Sequence, residues 1–463
     1  MKKYIGDRKF YRMVLAVAVP IMIQNGITNF VSLLDNIMVG QIGTEQMSGV
    51  AIVNQLMFVF NICIFGGVSG AGIFTAQYHG CGDQKGVRST FRLKLLICLA
   101  ITGAGLLIFA FYGEQLISFY LHDTGRADTL EATLEYARRY LRIMLIELVP
   151  FALIQAYSGT LRETGETVLP MKAGIAAVLV NLALNYLLIF GKFGAPALGV
   201  EGAAIATTFS RFVELIIVAG WTHKHKEAHP FIEGAYQNFR IPGSLVVKII
   251  ATGFPLMLNE ALWSSGQAVL MQCYSVRGLD VIAALNISPT ISNVFNVVFI
   301  ALGNAVGIIV GQLLGAGKLE EAEDTDRKLI FFSTAGCMVI GIMMALCSSL
   351  FPMLYNTAEE IRQLAAQFII ICSVCMPMYA FVNVAYFTLR CGGKTLVTFF
   401  FDSVYAWLVN IPLAFVLSRY TGLHIVPLFL ACQLIDLVKC IIGYILLKKG
   451  VWMNVIVKSG AAS

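Results

Sequence analysis

The sequence predicts an all-α integral membrane protein, with twelve transmembrane helices in two pseudo-symmetric six-helix lobes. Three observations predict it. Of the 463 residues 58% are hydrophobic and only 13% charged, against about 25% charged in soluble domains. Twelve apolar windows recur along the chain, each of the length a helical span needs, roughly 20 residues. The chain also repeats itself at a fixed offset. An open sheet would leave unpaired backbone groups in lipid, so the windows are expected to be helices.

The windows lie near 13–38, 48–73, 93–112, 141–160, 168–190, 199–220, 245–271, 281–309, 328–350, 365–387, 396–417 and 426–447. The first holds a proline, Pro20, and one carboxylate, Asp35. An aspartate within a span costs about 2.5–3.5 kcal/mol on insertion scales, so it is normally there for function. A first apolar run of this length, leading into further helices, is not a cleavable signal peptide. An offset of 235 positions pairs Pro20 with Pro255, Gly43 with Gly278, and Val59-Phe60-Asn61 with Val294-Phe295-Asn296. It also pairs Gln77, Gly80, Gly82 and Arg92 with Gln312, Gly315, Gly317 and Arg327. An offset of 228 pairs Thr160-Leu161-Arg162 with Thr388-Leu389-Arg390, and Arg211 with Lys439. The expected division is therefore a lobe over 1–221, a polar linker over 222–244 and a second lobe over 245–463. Six spans per half give both halves one orientation, with the symmetry axis along the membrane normal.

Lysine and arginine set the expected topology. The ends of the chain and the loops on their side carry 23 of these residues, and the opposite loops carry 8. That bias puts both termini in the cytoplasm of a cell-membrane protein. The net charge of +6 is spread over short loops, so nucleic acid is not an expected partner. The eleven cysteines lie mostly in apolar runs. Cys372 and Cys375 form a CxxC inside a span with no second pair, which suits packing thiols better than a metal or redox site. The glycine runs around Gly80-Cys81-Gly82 and Gly315-Ala316-Gly317 lack the GK[ST] ending of a phosphate loop and suit helix-ending turns.

Several polar residues within spans are candidates for chemistry. Burial disfavours the charged form of a carboxylate and disposes it to exchange a proton near neutrality, so Asp35 is the candidate coupling group. With nearby amide oxygens it is equally a candidate sodium site, and Asn29, Ser32 and Asn36 supply polar company. Asn181 and Asn185 fall one turn apart and share a helix face that extends the network toward Asp35. Glu260 is expected to line the cavity and attract cationic substrate. Gln24, Asn25 and Asn54 are amides within spans, where helix-to-helix hydrogen bonding is the ordinary alternative. Met22, Met38, Met57, Phe30, Phe58, Trp263 and Tyr379 are candidate walls, since Met and aromatic groups adapt in shape and attract cations. Arg211 with Glu214, and Asp436 with Lys439, are spaced to neutralise each other as ion pairs. Glu147 and Asp402 have no assignment from sequence.

The run VPIMIQNGITNFVSLLDNIMVGQIG, then GIFTAQYHGCGD, LNYLLIFG, GAPALGVEGAAIATTFSR, GFPLMLNEALW and IIVGQLLGAGKLEEA, resembles the MATE family (multidrug and toxic compound extrusion) along nearly the whole chain. The resemblance implies two six-helix lobes around a cavity, and export of organic molecules against inward flow of protons or sodium ions. The family's first-span proline and aspartate match Pro20, the expected hinge, and Asp35. A fifth-span aspartate of some relatives is replaced by Asn185. The seventh-span glutamate of others matches Glu260 loosely, and the tenth span offers only Asn383. The pattern resembles the branch that couples through the amino lobe.

The expected function is a secondary antiporter that exports amphipathic, cationic drugs, with no cofactor besides H+ or Na+. Its expected partners are a small-molecule substrate and the bilayer, and a monomer is the expected state. A lipid-linked precursor flippase of the same superfamily is the alternative, although that would favour a more basic cavity. A membrane-embedded prenyltransferase would need clustered aspartates of the DDxxD kind, and the chain has none.

Overall fold

A computed structural model of the chain describes residues 4–120, 127–355 and 357–457, without the side chains of residues 32, 33, 36 and 127–129. Ser32 and Asn36, named above beside Asp35, lie outside the described residues. So do Lys2, Lys3, Arg126 and Lys458 of the charge count.

Each apolar window forms a helix, because only a helix satisfies every backbone group of a lone segment in hydrocarbon. The amino-terminal half holds α1 (Arg8–Gly40), α2 (Thr44–Gly80), α3 (Gln84–Tyr120), α4 (Ala127–Glu163), α5 (Val168–Phe190) and α6 (Val200–Lys224). The carboxyl-terminal half holds α7 (Gly243–Ser275), α8 (Leu279–Gly315), α9 (Leu319–Leu346), α10 (Glu359–Cys391), α11 (Thr395–Tyr420) and α12 (Ile425–Lys448). Among the described residues, twelve helices are long and apolar enough to cross a membrane. Their bounds repeat as the sequence does. Moved by 235 positions, α1 falls on α7 and α2 on α8, residue for residue at both ends.

The glycine runs end helices. Gly82 (φ 78°) and Gly317 (φ 73°) take the left-handed conformation, which glycine enters without a Cβ penalty. That turn lets the Asp83 N–H donate back to Tyr78 O at 2.9 Å and the Lys318 N–H to Leu313 O at 3.1 Å. Otherwise orphaned carbonyls of the last turn are thereby satisfied.

The chain divides into two compact units. The first comprises Met1–Met22, Ala76–Asp83 and Ala251–Ser463, and the second Ile23–Thr75 and Gln84–Ile250. The division passes through α1 two residues after Pro20.

In the first unit α10 packs against α8, α9 and α12. Its core joins Phe10, Val14 and Ala18 of α1 to Ala301, Ala305 and Val306 of α8 and Val384 and Leu389 of α10. The end of α2 meets the end of α8 at glycines. A Cβ on Gly80 would strike the Gln312 backbone, and one on Gly315 would strike the Gln77 backbone. Gln77 is fully buried. Its Nε2 donates to Cys391 O at 3.0 Å and Asn454 O at 3.2 Å, and its Oε1 accepts from the Ile456 N–H at 2.9 Å. Within α11, residues 400–404 and 406–410 widen to π-helical turns, a distortion often found at functional positions.

In the second unit α6 packs against α4 and α5, and α3 against α4. The polar stretch after α6 is tied to α3. Arg88 donates to Pro230 O and Phe231 O at 3.0 and 3.3 Å. Arg92 does the same to Gly234 O and Ala235 O at 2.7 and 2.8 Å. Phe91 of α3 lies edge-on between Tyr157 and Phe231.

Candidate functional site

Three helices of the second unit bring their polar residues together around one carboxylate. Asp35 comes from the carboxyl-terminal half of α1, beyond Pro20. Asn181 and Asn185 share the inner face of α5 because four residues make about one turn, and both are buried. Asn185 Nδ2 donates to Asp35 Oδ1 at 2.7 Å. With its amide nitrogen turned to the carboxylate, Asn181 donates to both Asp35 oxygens at 3.0 and 3.1 Å. Its own oxygen then accepts from Thr207 Oγ1 of α6 at 3.2 Å. Among the described residues the carboxylate is thus held by amide donors, and a half-buried aspartate becomes tolerable in a span. Thr207 escapes a reading of sequence, since a threonine in an apolar helix carries no signal of its partner.

A second set of charges lies in the same unit. Arg211 Nε donates to Glu147 Oε1 at 3.2 Å, and its Nη1 donates to Glu214 Oε2 at 2.9 Å. The guanidinium also lies 5.6 Å from the Phe151 ring centre. Arg211 with Glu214 is the pair expected from their spacing, and Glu147 gains its partner here. Arg162 Nη2 donates to Gln24 Oε1 at 2.7 Å, so Gln24 already holds a cation of the protein. Lys94, fully buried in α3, bonds Glu163 and Thr160. Asn54 accepts from the Tyr140 hydroxyl at 3.4 Å. Asn25 is half-buried and Met57 buried.

Glu260 lies in the first unit, among groups of α7, α10, α11 and α12. The Tyr386 hydroxyl donates to Glu260 Oε1 at 3.5 Å. Beside it, Asn259 Nδ2 donates to Asp402 Oδ2 at 3.1 Å, and Ser403 Oγ donates to Asn259 Oδ1 at 2.7 Å. Lys439 Nζ donates to Asp402 Oδ1 at 2.5 Å. The expected pairing of Lys439 with Asp436 is therefore corrected. The lysine reaches across to the widened part of α11, and Asp436 accepts instead from Asn410 Nδ2 at 3.0 Å. Trp263 is 46% exposed, and Pro20 is buried inside α1. Asp35, Asn181 and Asn185 come together as a cluster, while Glu260 and Trp263 belong to the other unit. No group of three or more His, Cys, Asp or Glu side chains among the described residues is arranged to hold a metal ion.

The MatE family model matches residues 20–187 and 255–416. The chain is 24% identical over 413 residues to a probable multidrug resistance protein NorM of Thermotoga maritima, covering 88% of this chain and 85% of that protein. It is 24% identical over 422 residues to a probable multidrug resistance protein YoeA of Bacillus subtilis, covering 90% and 88%. Among solved structures it is similar to an outward-facing multidrug resistance MATE transporter of the MOP superfamily, with a TM-score of 0.86 at 17% identity over 97% of each chain. It is also similar to the Vibrio cholerae MATE transporter VcmN in a bent form, with a TM-score of 0.82 at 18% identity, covering 96% of this chain and 97% of that one. At such identities the structural likeness establishes the fold.

Proposed function

From the membership of this chain in the MatE family of multidrug efflux transporters, we propose that it is a secondary antiporter exporting amphipathic, cationic organic compounds against inward flow of protons. The observation that carries this reading is the pair of amide donors on Asp35. An ionised carboxylate accepts both. A proton on either oxygen adds a donor there and weakens that oxygen as an acceptor, so the amide bonds to it loosen. Loading Asp35 therefore changes how α1 is held to α5. Protonated, the group is neutral and has no hold on a cationic substrate; deprotonated, it attracts one. With the amide nitrogens on the carboxylate the site suits a proton, and a sodium ion there would call for the amides to turn their oxygens to it.

Residues 1–221 and 245–463 act in this reading as two lobes that rock about a cavity, with the termini in the cytoplasm and one chain sufficient. Pro20 serves as the hinge of α1, because a proline withholds one backbone bond from the helix. Glu260, Asn25, Asn54, Met57 and Trp263 contribute to the substrate cavity, and Gln24 contributes through Arg162. A lipid-precursor flippase is disfavoured because the mid-span cations Arg211 and Lys439 are occupied by carboxylates and offer little to a pyrophosphate.

The test is uptake of ethidium into vesicles carrying the purified transporter, with proton and sodium gradients imposed one at a time. A proton gradient alone is expected to drive accumulation. Accumulation under sodium alone assigns the other ion, and accumulation under neither ends the antiport reading.

A further inference from the structure

The carboxyl-terminal half holds an organic cation of its own. The Lys439 ammonium donates to Asp402 Oδ1 at 2.5 Å. It also lies 5.3 Å from the ring centre of Phe401 and 6.0 Å from that of Tyr405, and both rings are buried. A carboxylate beside two aromatic rings is well suited to hold an alkylammonium group, because each ring face attracts a cation. Asn259 Nδ2 steadies the other carboxylate oxygen, Asp402 Oδ2, at 3.1 Å. Asp402 keeps 18% of its side chain exposed, so the seat is not sealed against a second cation.

Another seat for the lysine lies one turn away. Asp436 stands three residues before Lys439 on α12, so the two share a helix face and the flexible lysine can reach back to it. Among the described residues the Asp436 side chain has no cation on it and accepts instead from the neutral Asn410 Nδ2 at 3.0 Å. The oxygen of that amide, Asn410 Oδ1, is buried without a hydrogen-bond partner, a condition rare enough to call for a reason. An ammonium brought to Asp436 stands beside the amide and supplies the donor its oxygen lacks, since a lysine has three. The two π-helical turns of α11 each contribute to one seat, residues 400–404 with Asp402 and residues 406–410 with Asn410.

We propose that Asp402, with the rings of Phe401 and Tyr405, is a binding seat for the primary ammonium of an amphipathic amine, and that Lys439 is its built-in competitor, which moves to Asp436 and Asn410 when the amine arrives. The inference rests on the reading of this chain as an exporter of organic cations. Both carboxylates hold a cation once the amine is bound. Without it the lysine keeps to Asp402, the stronger seat because of its two ring faces, and no bare carboxylate is left there. Ions too weakly held to displace the lysine are thereby turned away.

The experiment measures binding of dansylcadaverine, a fluorescent amphipathic amine with a primary ammonium on an alkyl chain, to the full chain in detergent. Its N-acetylated form, which is neutral, is the control. The wild type is expected to bind the amine and not the control. Lys439→Met removes the competitor and should tighten binding about tenfold or more. Asp436→Asn removes the second seat and keeps the lysine on Asp402, so binding should weaken severalfold. In the Lys439→Met background the same change should leave the affinity unaltered, whereas a merely structural Asp436 predicts the same loss in both backgrounds and would overturn the proposal. If Lys439→Met does not fold, Lys439→Gln, whose amide still donates to Asp402, is read in its place. If neither folds, Asp436→Asn decides: severalfold weaker binding supports the proposal and wild-type affinity overturns it. A lysine variant that binds the amine no tighter than the wild type also overturns it, as does a wild type that binds both forms alike or neither. Should any of these occur while a proton gradient still drives ethidium uptake, antiport stands and only this seat falls. Uptake driven by neither gradient overturns both.

Discussion

In the proposed reading Asp35 and its two asparagines act as a switch, and its parts can be removed singly. Asp35→Asn mimics the neutral form and cannot cycle, so gradient-driven efflux is expected to vanish while the protein still inserts and folds; near-normal uphill efflux in this variant would place coupling elsewhere. Glu260 lies in the other unit and is half-buried. Glu260→Gln is expected to weaken affinity for cations more than for neutral compounds, measured by competition against a bound dye, and equal loss for both classes would count against a role in cation attraction. The Lys439–Asp402 pair, with side chains 8% and 18% exposed, is a different case. Removing one partner leaves a charge stranded, at a cost of about 3–5 kcal/mol. Asp402→Asn should therefore lower thermal stability sharply, whereas the combined Asp402→Leu and Lys439→Met should recover most of the loss.

What the sequence discloses at this scale follows the range of each contact. Arg211 with Glu214 is legible because a spacing of three puts both on one helix face. The same rule offers Asp436 to Lys439 and misleads, because spacing nominates partners only on the same helix. Asp402 reaches the lysine from another helix and also accepts from Asn259. Lys94 with Glu163, and Asn181 with Thr207, are likewise invisible until packing brings their helices together. Asp35 with Asn185 was legible in part, since each stood out as a polar group in an apolar run.

At the scale of elements, the apolar windows settle the number and nature of the helices, because the bilayer leaves no other way to satisfy the backbone. Ends are less legible. The windows stop where apolar residues thin out, but the helices run on until a glycine turn or a polar cap closes them, as α2 does at Gly80. The apolar pattern of α11 does not mark its π-helical turns; the second of them ends just before Pro412, whose missing N–H is the one local sequence signal. Pro20 is legible from sequence, and the change of unit two residues later gives it a place. An interior proline costs a helix about 3 kcal/mol, so Pro20→Ala should leave α1 at least as stable. Transport is expected to slow severalfold, read as initial efflux rate at equal protein, and a wild-type rate would mean that α1 needs no bend there.

At the scale of the whole molecule, the lysine and arginine bias makes a statement about sidedness. An epitope inserted after Glu227 is expected to be reached by antibody only when the cytoplasmic face is opened; detection on intact cells would reverse the topology. The internal repeat has a further consequence at the seam where α2 meets α8. Gly80 lies on Gln312 while Gly315 lies on Gln77, and the offset that carries Gln77 to Gln312 carries Gly80 to Gly315. This is the form of contact that two identical chains make about a two-fold axis, each offering the same patch to the other. The duplicated halves thus meet at this seam through one motif used twice, each copy offering a glycine to the other's glutamine backbone. Enlarging either glycine should lower the melting temperature, and Gly315→Leu by more than Gly80→Leu, because Gly315 presses on Gln77, which also ties down Cys391, Asn454 and Ile456; equal shifts would mean that those ties carry no stability.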